Sequence, residues 1–430
     1  MTHRIIFKYA DDRDPNISLN EGENAEIIFL DPKSGHQYID SSLNDLTARV
    51  PLSPFRRELV HFAAAVYGAD KRIPRTQGYD KWKRYFQVYF PVLDIKQWTP
   101  VKDILASAIS FLTGDRWEFI FYPTDFRPEI QTHFPYEDVG TFDSVTLLSG
   151  GLDSFIGAID LLENRNHKTA FVSHHPSGNM DHKCQKTVHK FLNTRYPGRV
   201  PHNDIFVQPR GFASTEASSR SRAFLFFLLG ITIADALECP SFIIPENGFI
   251  SLNVPLTNAR IGSLSTRSTH PYFIHQLQGL IAALGLTVSL ATPYQFKTKG
   301  EMITESQNIE IVREGYTHTR SCSTLRYRFK GHSTKKQCGV CFPCIVRRAA
   351  LHKAGFDPEM YNFMERFDIE TIDGKEFLDL WAVKAAAQTY RRTPPTIFDI
   401  IGNARIPHSL DNFLGVYTRG IEELVSFIGM

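Results

Sequence analysis

Ser149-Gly150-Gly151-Leu152-Asp153-Ser154 stands between two apolar runs of different character. Before it, Val145-Thr146-Leu147-Leu148 is short and β-prone. After it, Phe155 to Glu163 spaces its apolar residues as a helix does. The stretch therefore predicts a strand, a glycine-rich turn and a helix N-terminus. Two adjacent glycines let backbone approach a phosphate closely. The helix start adds unpaired N–H groups and a partial positive charge. Ser149 and Ser154 offer hydroxyls, and Asp153 can hold Mg²⁺ against an anion. A Gly-Ser turn that merely caps a helix is the alternative. The full six-residue set in this position favours a pyrophosphate cradle.

Outward from the turn, strands and helices alternate. Val145–Leu148, Thr169–Ser173, Asp204–Val207, Phe242–Pro245 and Thr287–Leu290 read as strands. Residues 152–164, 180–195, 219–237 and 272–284 read as helices. That alternation predicts an α/β fold with a parallel sheet and flanking helices. Ligands bind such sheets past the C-terminal strand ends. That edge collects the 149–154 turn, His174 and His175, Pro209-Arg210 and Glu246-Asn247-Gly248.

Cys322, Cys338, Cys341 and Cys344 form C-x15-C-x2-C-x2-C. Close spacing aims several thiolates at one point, and four thiolates fill a tetrahedral Zn²⁺ site of structural type. An iron–sulfur cluster takes the same donors. His332, in the spacer, reads as a solvated or paired side chain. Cys184 and Cys239 read as buried apolar cysteines.

The two motifs together carry a resemblance. Ser149–Ser154 resembles the PP-loop signature of ATP pyrophosphatases. With Ser321-Cys322, Cys338-Gly339-Val340-Cys341-Phe342-Pro343-Cys344 and Arg347 it resembles the QueC family of 7-cyano-7-deazaguanine synthases. The resemblance covers roughly residues 142–355. Pro293 to Ile303 resembles a family segment that sets Lys299 near the nucleotide. Arg222 falls where the family has the Arg of an Arg-Asn pair, although Ala223 replaces the Asn. His174-His175-Pro176-Ser177 replaces the family's Asp-Tyr-Gly-Gln. The added length makes the chain similar to the enlarged QueC-like proteins of bacterial antiphage operons, the QatC type. The resemblance implies a ligase or synthase that adenylates a 7-carboxy-7-deazaguanine-type carboxylate with ATP and Mg²⁺. The activated base then passes to ammonia or to an amine of a partner protein from the same operon. It implies catalytic roles for Ser149, Asp153 and Ser154. It implies nucleotide contacts from Ser149, Gly150, Gly151, Leu152, Asp153, Ser154, His174 and Lys299. Substrate contacts are expected from Arg222, Glu246, Asn247, Arg267 and His270, and Zn²⁺ at the four cysteines. A PP-loop tRNA-modifying enzyme and a non-catalytic nucleotide-binding subunit are the competing readings.

A length of 430 residues with 42% hydrophobic content permits two or three domains around a large core. Formal net charge is +2, which gives no basic field for nucleic acid. No apolar run is long enough for a membrane span, and no apolar leader stands at the start, so a cytoplasmic protein is expected. Residues 1–140 read as an N-terminal α+β module of unknown role, with strands at 5–9, 25–30, 85–92 and 116–122 and helices at 52–67 and 101–112. Residues 123–138 read as its linker. Residues 141–355 read as the PP-loop domain, and residues 356–430 as a C-terminal helical extension.

Overall fold

The computed structural model describes residues 2–429 apart from 13–16, 18–23, 33–35, 127–140, 177–179, 257–266, 324–335, 357–360, 364–376 and 403. Most of the expected linker and His332 lie outside the described residues.

Among the described residues, ten strands form one sheet. They are β1 (Thr2–Lys8), β2 (Glu26–Phe29), β3 (Tyr38–Ser41), β4 (Tyr85–Val92), β5 (Arg116–Pro123), β6 (Ser144–Leu147), β7 (Thr169–His175), β8 (His202–Arg210), β9 (Ser241–Ile243) and β10 (Ser289–Ala291). The spatial order is β10-β9-β6-β7-β8-β3-β2-β1-β4-β5. Every pairing is parallel except β3 with β8, where Tyr38 faces Arg210 and Ser41 faces Val207.

This order has an internal symmetry. Counted outward from the β3–β8 seam and numbered in chain order, each half of the sheet reads 3-2-1-4-5. Helix Pro54–Arg72 follows β3 and helix Arg222–Ala236 follows β8, and these two pack on each other. Helices Lys102–Thr113 and Pro271–Ala283 each lie between the fourth and fifth strands of their half, and they too pack together. An approximate two-fold axis through the seam relates the halves. Strands β1–β5 thus extend the sheet of the second half. The boundary drawn near residue 140 divides one sheet and one core, since a single apolar cluster runs from Phe7, Phe86 and Phe119 through Val145, Val172 and Phe242.

Sequence explains the packing locally. In β4, Phe86, Val88, Phe90 and Val92 are fully buried at period two. Helix Arg222–Ala236 is apolar on all sides, as suits an element wedged between the sheet and helix Pro54–Arg72. Ser53 caps the latter by accepting from Arg56 N at 3.3 Å, with Pro54 at the first position.

A second cluster covers the opposite face of the second half, joining Phe155, Ile159, Phe171, Val188 and Leu192. A third surrounds the cysteines and helices Phe342–Lys353, Leu378–Arg392 and Leu410–Phe427. Among the described residues, no helix is long and apolar enough to cross a membrane.

Candidate functional site

In the second half the chain reverses its direction of winding between β6 and β9. In a doubly wound sheet this is where a crevice opens at the C-terminal strand ends. The 149–154 turn leaves β6 there. Gly150 has φ +81°, and a Cβ on it would stand 3.1 Å from Gln185 N. A side chain there is thus strained by conformation and crowded by Gln185. Gly150 O accepts from Arg320 N at 2.9 Å, which anchors the turn from outside. Gly151 is the N-cap of helix Leu152–Glu163, and no side chain caps it. The Ser149 and Ser154 hydroxyls lie 3.0 Å apart, and Gly151 N donates to Ser149 Oγ at 3.3 Å. The helix therefore presents first-turn N–H groups and two hydroxyls towards one spot, a geometry suited to an anion.

The second component is a buried ionic cluster. Asp153 is 5% exposed. Its Oδ1 accepts from Lys299 Nζ, and its Oδ2 accepts from Asn247 Nδ2 at 2.6 Å and from Asn247 N at 3.3 Å. Lys299 is the first residue of helix Lys299–Thr304. That helix carries a capping box, with Thr298 Oγ1 accepting from Glu301 N at 3.1 Å and Glu301 accepting from Thr298 N at 2.8 Å. The C-terminal helix Leu410–Phe427 supports it. Glu423 accepts from Thr298 Oγ1 and from Gly300 N, and Arg419 Nε donates to Glu301 at 2.6 Å. The C-terminal extension thus fixes the lysine that faces Asp153.

Glu246 lies beside this cluster in a cleft also lined by Ser251, Thr269 and Thr292. Burial, reinforced by the Asp153 charge, pushes its carboxyl up to about 7. Asn247 is occupied differently from the expected substrate contact. Its side chain donates to Asp153, and its Oδ1 accepts from Ile250 N at 3.0 Å as the cap of the short helix Gly248–Ser251. An Asn-Gly pair after a strand was the available signal for that role.

The remaining expected residues separate into two groups. His174 is fully buried; its carbonyl accepts from Arg222 at 2.9 Å and from Gln185 Nε2 at 3.2 Å, and Gln185 Nε2 also reaches Ser149 O at 3.4 Å. Burial, with Arg222 nearby, holds the His174 imidazole well below its usual pKa. Arg222 also pairs with Asp181 at 2.9 Å. These residues connect to the turn through Gln185. Arg267 and His270 instead face the first half, where Arg267 lies over the Phe111 ring at 4.9 Å and the His270 ring meets Phe111 edge-on at 5.2 Å. His270 Nδ1 accepts from Tyr272 N at 3.1 Å and so caps helix Pro271–Ala283. Arg210, at the end of the extended β8, pairs with Asp40 at 3.1 Å across the seam and away from the turn.

The four cysteines converge. All four are buried, and their sulfurs lie within 4.8 Å of one another. Gly339 has φ +86°, which turns the chain so that Val340 N and Cys341 N both point at Cys338 Sγ, at 3.5 and 3.3 Å. Four buried sulfurs with N–H donors to a thiolate fit a structural Zn²⁺ ion. Fully buried Arg347 braces the knot, donating to Thr319 Oγ1 and Tyr316 O, each at 2.7 Å.

Sequence reading did not find a third cluster. His175, His182 and Asp204 bring three metal-binding atoms within 4.8 Å of one another. Compared with known proteins, the chain matches no protein-family model and no curated protein.

Proposed function

We propose that the chain is an ATP-dependent adenylating enzyme acting on the carboxylate of a 7-carboxy-7-deazaguanine-type base, as its resemblance to QueC implies. The observation that carries this reading is the junction at the β6–β9 switch point. There an uncapped helix N-terminus behind Gly150-Gly151 adjoins the buried Asp153, Lys299 and Asn247 cluster. In the proposed reaction a substrate carboxylate oxygen attacks the α-phosphorus of ATP. The bond to the oxygen bridging α and β phosphorus breaks, and pyrophosphate departs with its electron pair. The N–H groups of the first turn, with Ser149 and Ser154, suit the charge that gathers on this leaving group. Lys299 supplies a fixed cation beside it. Asp153 and the two serines would hold Mg²⁺, which supplies charge neutralisation. An amine then attacks the acyl carbon and AMP leaves. Ammonia or an amine of a partner protein, in a bacterial antiviral setting, is the proposed acceptor. Glu246, from its place in the cleft, offers a carboxylate that can accept from the donor edge of a purine-like ring. Zn²⁺ at the four cysteines would be structural, with no coordination position left for substrate.

The test is direct. Protein incubated with ATP, Mg²⁺ and the 7-carboxy base should release AMP and pyrophosphate, and mass spectrometry should identify which added amine gains the base. Absence of AMP with any deazapurine acid overturns the substrate assignment. One observation favours a second reading, a nucleotide-binding subunit without turnover: both Asp153 oxygens are already engaged by Lys299 and Asn247. ATP binding with no AMP from any carboxylate supports that reading.

A further inference from the structure

The histidine–carboxylate cluster lies beside the turn but takes no part in the chemistry proposed there. His175 ends β7, His182 stands on the first turns of helix Met180–Arg195, and Asp204 is the third residue of β8. Three separate elements thus deliver two imidazoles and one carboxylate to one place. His182 Nε2 lies 2.8 Å from Asp204 Oδ2, and His175 Nε2 lies 3.3 Å from Oδ1.

Two details favour a cation at this place. First, His175 Nδ1 lies 3.2 Å from the Pro176 carbonyl oxygen. A carbonyl only accepts, so Nδ1 carries the proton and the neutral ring keeps its Nε2 lone pair, 3.3 Å from Asp204 Oδ1, for an ion. Second, Asp204 Oδ1 is buried and has no hydrogen-bond partner, even with His175 Nε2 nearby. A buried carboxylate oxygen without a donor is costly. One positive ion answers both.

We propose that His175, His182 and Asp204 form a binding site for a divalent first-row transition metal ion. Two imidazoles and one carboxylate are a donor set for Zn²⁺, Fe²⁺ or Co²⁺ rather than for Mg²⁺ or Ca²⁺. The Pro176 carbonyl is the outer partner that fixes the His175 tautomer. The three side chains are 11%, 18% and 25% exposed, so water or a small ligand can complete the coordination. The imidazole rings stack with centroids 3.4 Å apart and planes 7° from parallel. Parallel rings cannot both aim lone pairs at one ion, so metal loading tilts at least one ring. The site touches the turn through the helix that carries His182, since Gln185, three residues on, reaches Ser149 O.

The experiment uses the full chain with its cysteine site filled by one equivalent of Zn²⁺, titrated with Co²⁺ and followed by absorption spectroscopy and elemental analysis. A second equivalent should bind with weak d–d bands and no sulfur charge-transfer band. His182→Gln and Asp204→Asn should each lose the second equivalent, weakening Co²⁺ binding at least tenfold. Both should keep the first Zn²⁺ and the parent melting temperature. A parent chain that stops at one metal, or variants that still bind two, overturns the proposal. If one variant fails to fold, the other decides, and His175→Gln provides a third. None of these readouts depends on adenylation, so a failure here leaves the proposed reaction standing.

Discussion

The two halves of the sheet share one strand order and differ in what stands at the end of the central strand. In the second half, β6 ends in Gly150-Gly151 and an uncapped helix. In the first half, β1 runs into Tyr9, which is 3% exposed and stacks on Phe126 at 4.0 Å. Its hydroxyl meets His61 Nδ1 at 2.8 Å. At the end of neighbouring β4, fully buried Trp98 donates to Glu58 at 3.0 Å and packs on Phe62, Phe90 and Phe121. The switch point that carries a glycine turn and a helix N-terminus in one half is filled with aromatic rings in the other. Topology provides the place, and side-chain volume decides whether it becomes a site. The first half contributes a rigid support, as its buried charges show. Arg84 is buried among Asp70 and Asp115, while Asp70 also takes Ser221 N at 3.1 Å, on the segment that delivers Arg222.

The sharpest way to break the comparison is at Lys299. Lys299→Met removes the cation beside Asp153 and the fixed charge proposed for the departing pyrophosphate. AMP formation should fall by roughly 10³-fold or more, as for loss of a preorganised electrostatic group. Tyr9 stands at the equivalent end of the first half's central strand, and Tyr9→Phe should leave AMP formation unchanged within about twofold. Steady-state release of AMP checks both. Equal effects from the two variants would show that the halves do not divide function as proposed.

Next in size is the joint itself. Arg84→Met leaves Asp70 and Asp115 buried with less compensation, although Arg75 still meets Asp115 at 3.0 Å. Breaking one partner of a buried ion pair costs about 3–5 kcal/mol. Urea unfolding at neutral pH should show that loss as one transition, because both halves share a core. Two separate transitions would mean that the halves fold independently.

How far the sequence reveals this arrangement depends on the range of the interaction. The 149–154 turn is legible because its signal is local: a β-run, two glycines and a helical period. The cysteine knot is legible for the same reason, since three of its sulfurs lie within seven residues of chain. Strand Tyr85–Val92 and helix Met180–Arg195 follow from periodicity with the bounds observed. The β3 strand does not. Four residues long, with Ile39 its one fully buried apolar side chain, it exists as a strand through pairing with β2 and with β8, far along the chain. Missing β3 hides the seam, and with it the symmetry. The role of His270 also escapes, because Phe111 comes from the other half. The Asp204 partners of His175 and His182 are equally non-local.

The seam offers a pH test. His270 is fully buried, and its imidazole is pushed down to about 3 by burial, with the Arg267 charge adding to the effect. The unfolded chain protonates this residue near 6.5, so below that pH the unfolded state binds the extra proton. The contribution is complete above about 6.5 and is lost as pH falls towards 3. By pH 4 the loss amounts to about 3 kcal/mol. His270→Asn, which can still cap the helix, should flatten the dependence of unfolding free energy on pH between 6.5 and 4 relative to the parent. An unchanged slope would mean that other groups dominate.

The smallest effect belongs to the contact at the symmetry axis. Arg210 and Asp40 pair across β8 and β3 at 3.1 Å, with about a third of each side chain exposed. Exposed pairs contribute about 0–1 kcal/mol, because water screens the charges and holding two long side chains costs entropy. Asp40→Asn should therefore move the unfolding midpoint very little, by an amount that added salt erases. The backbone pairing of β3 with β8 and the apolar core beneath, where Ile39 and Val207 are buried, should hold the seam without it. A loss above about 2 kcal/mol would reverse this assignment. It would mean that charge rather than core packing joins the filled half to the open one.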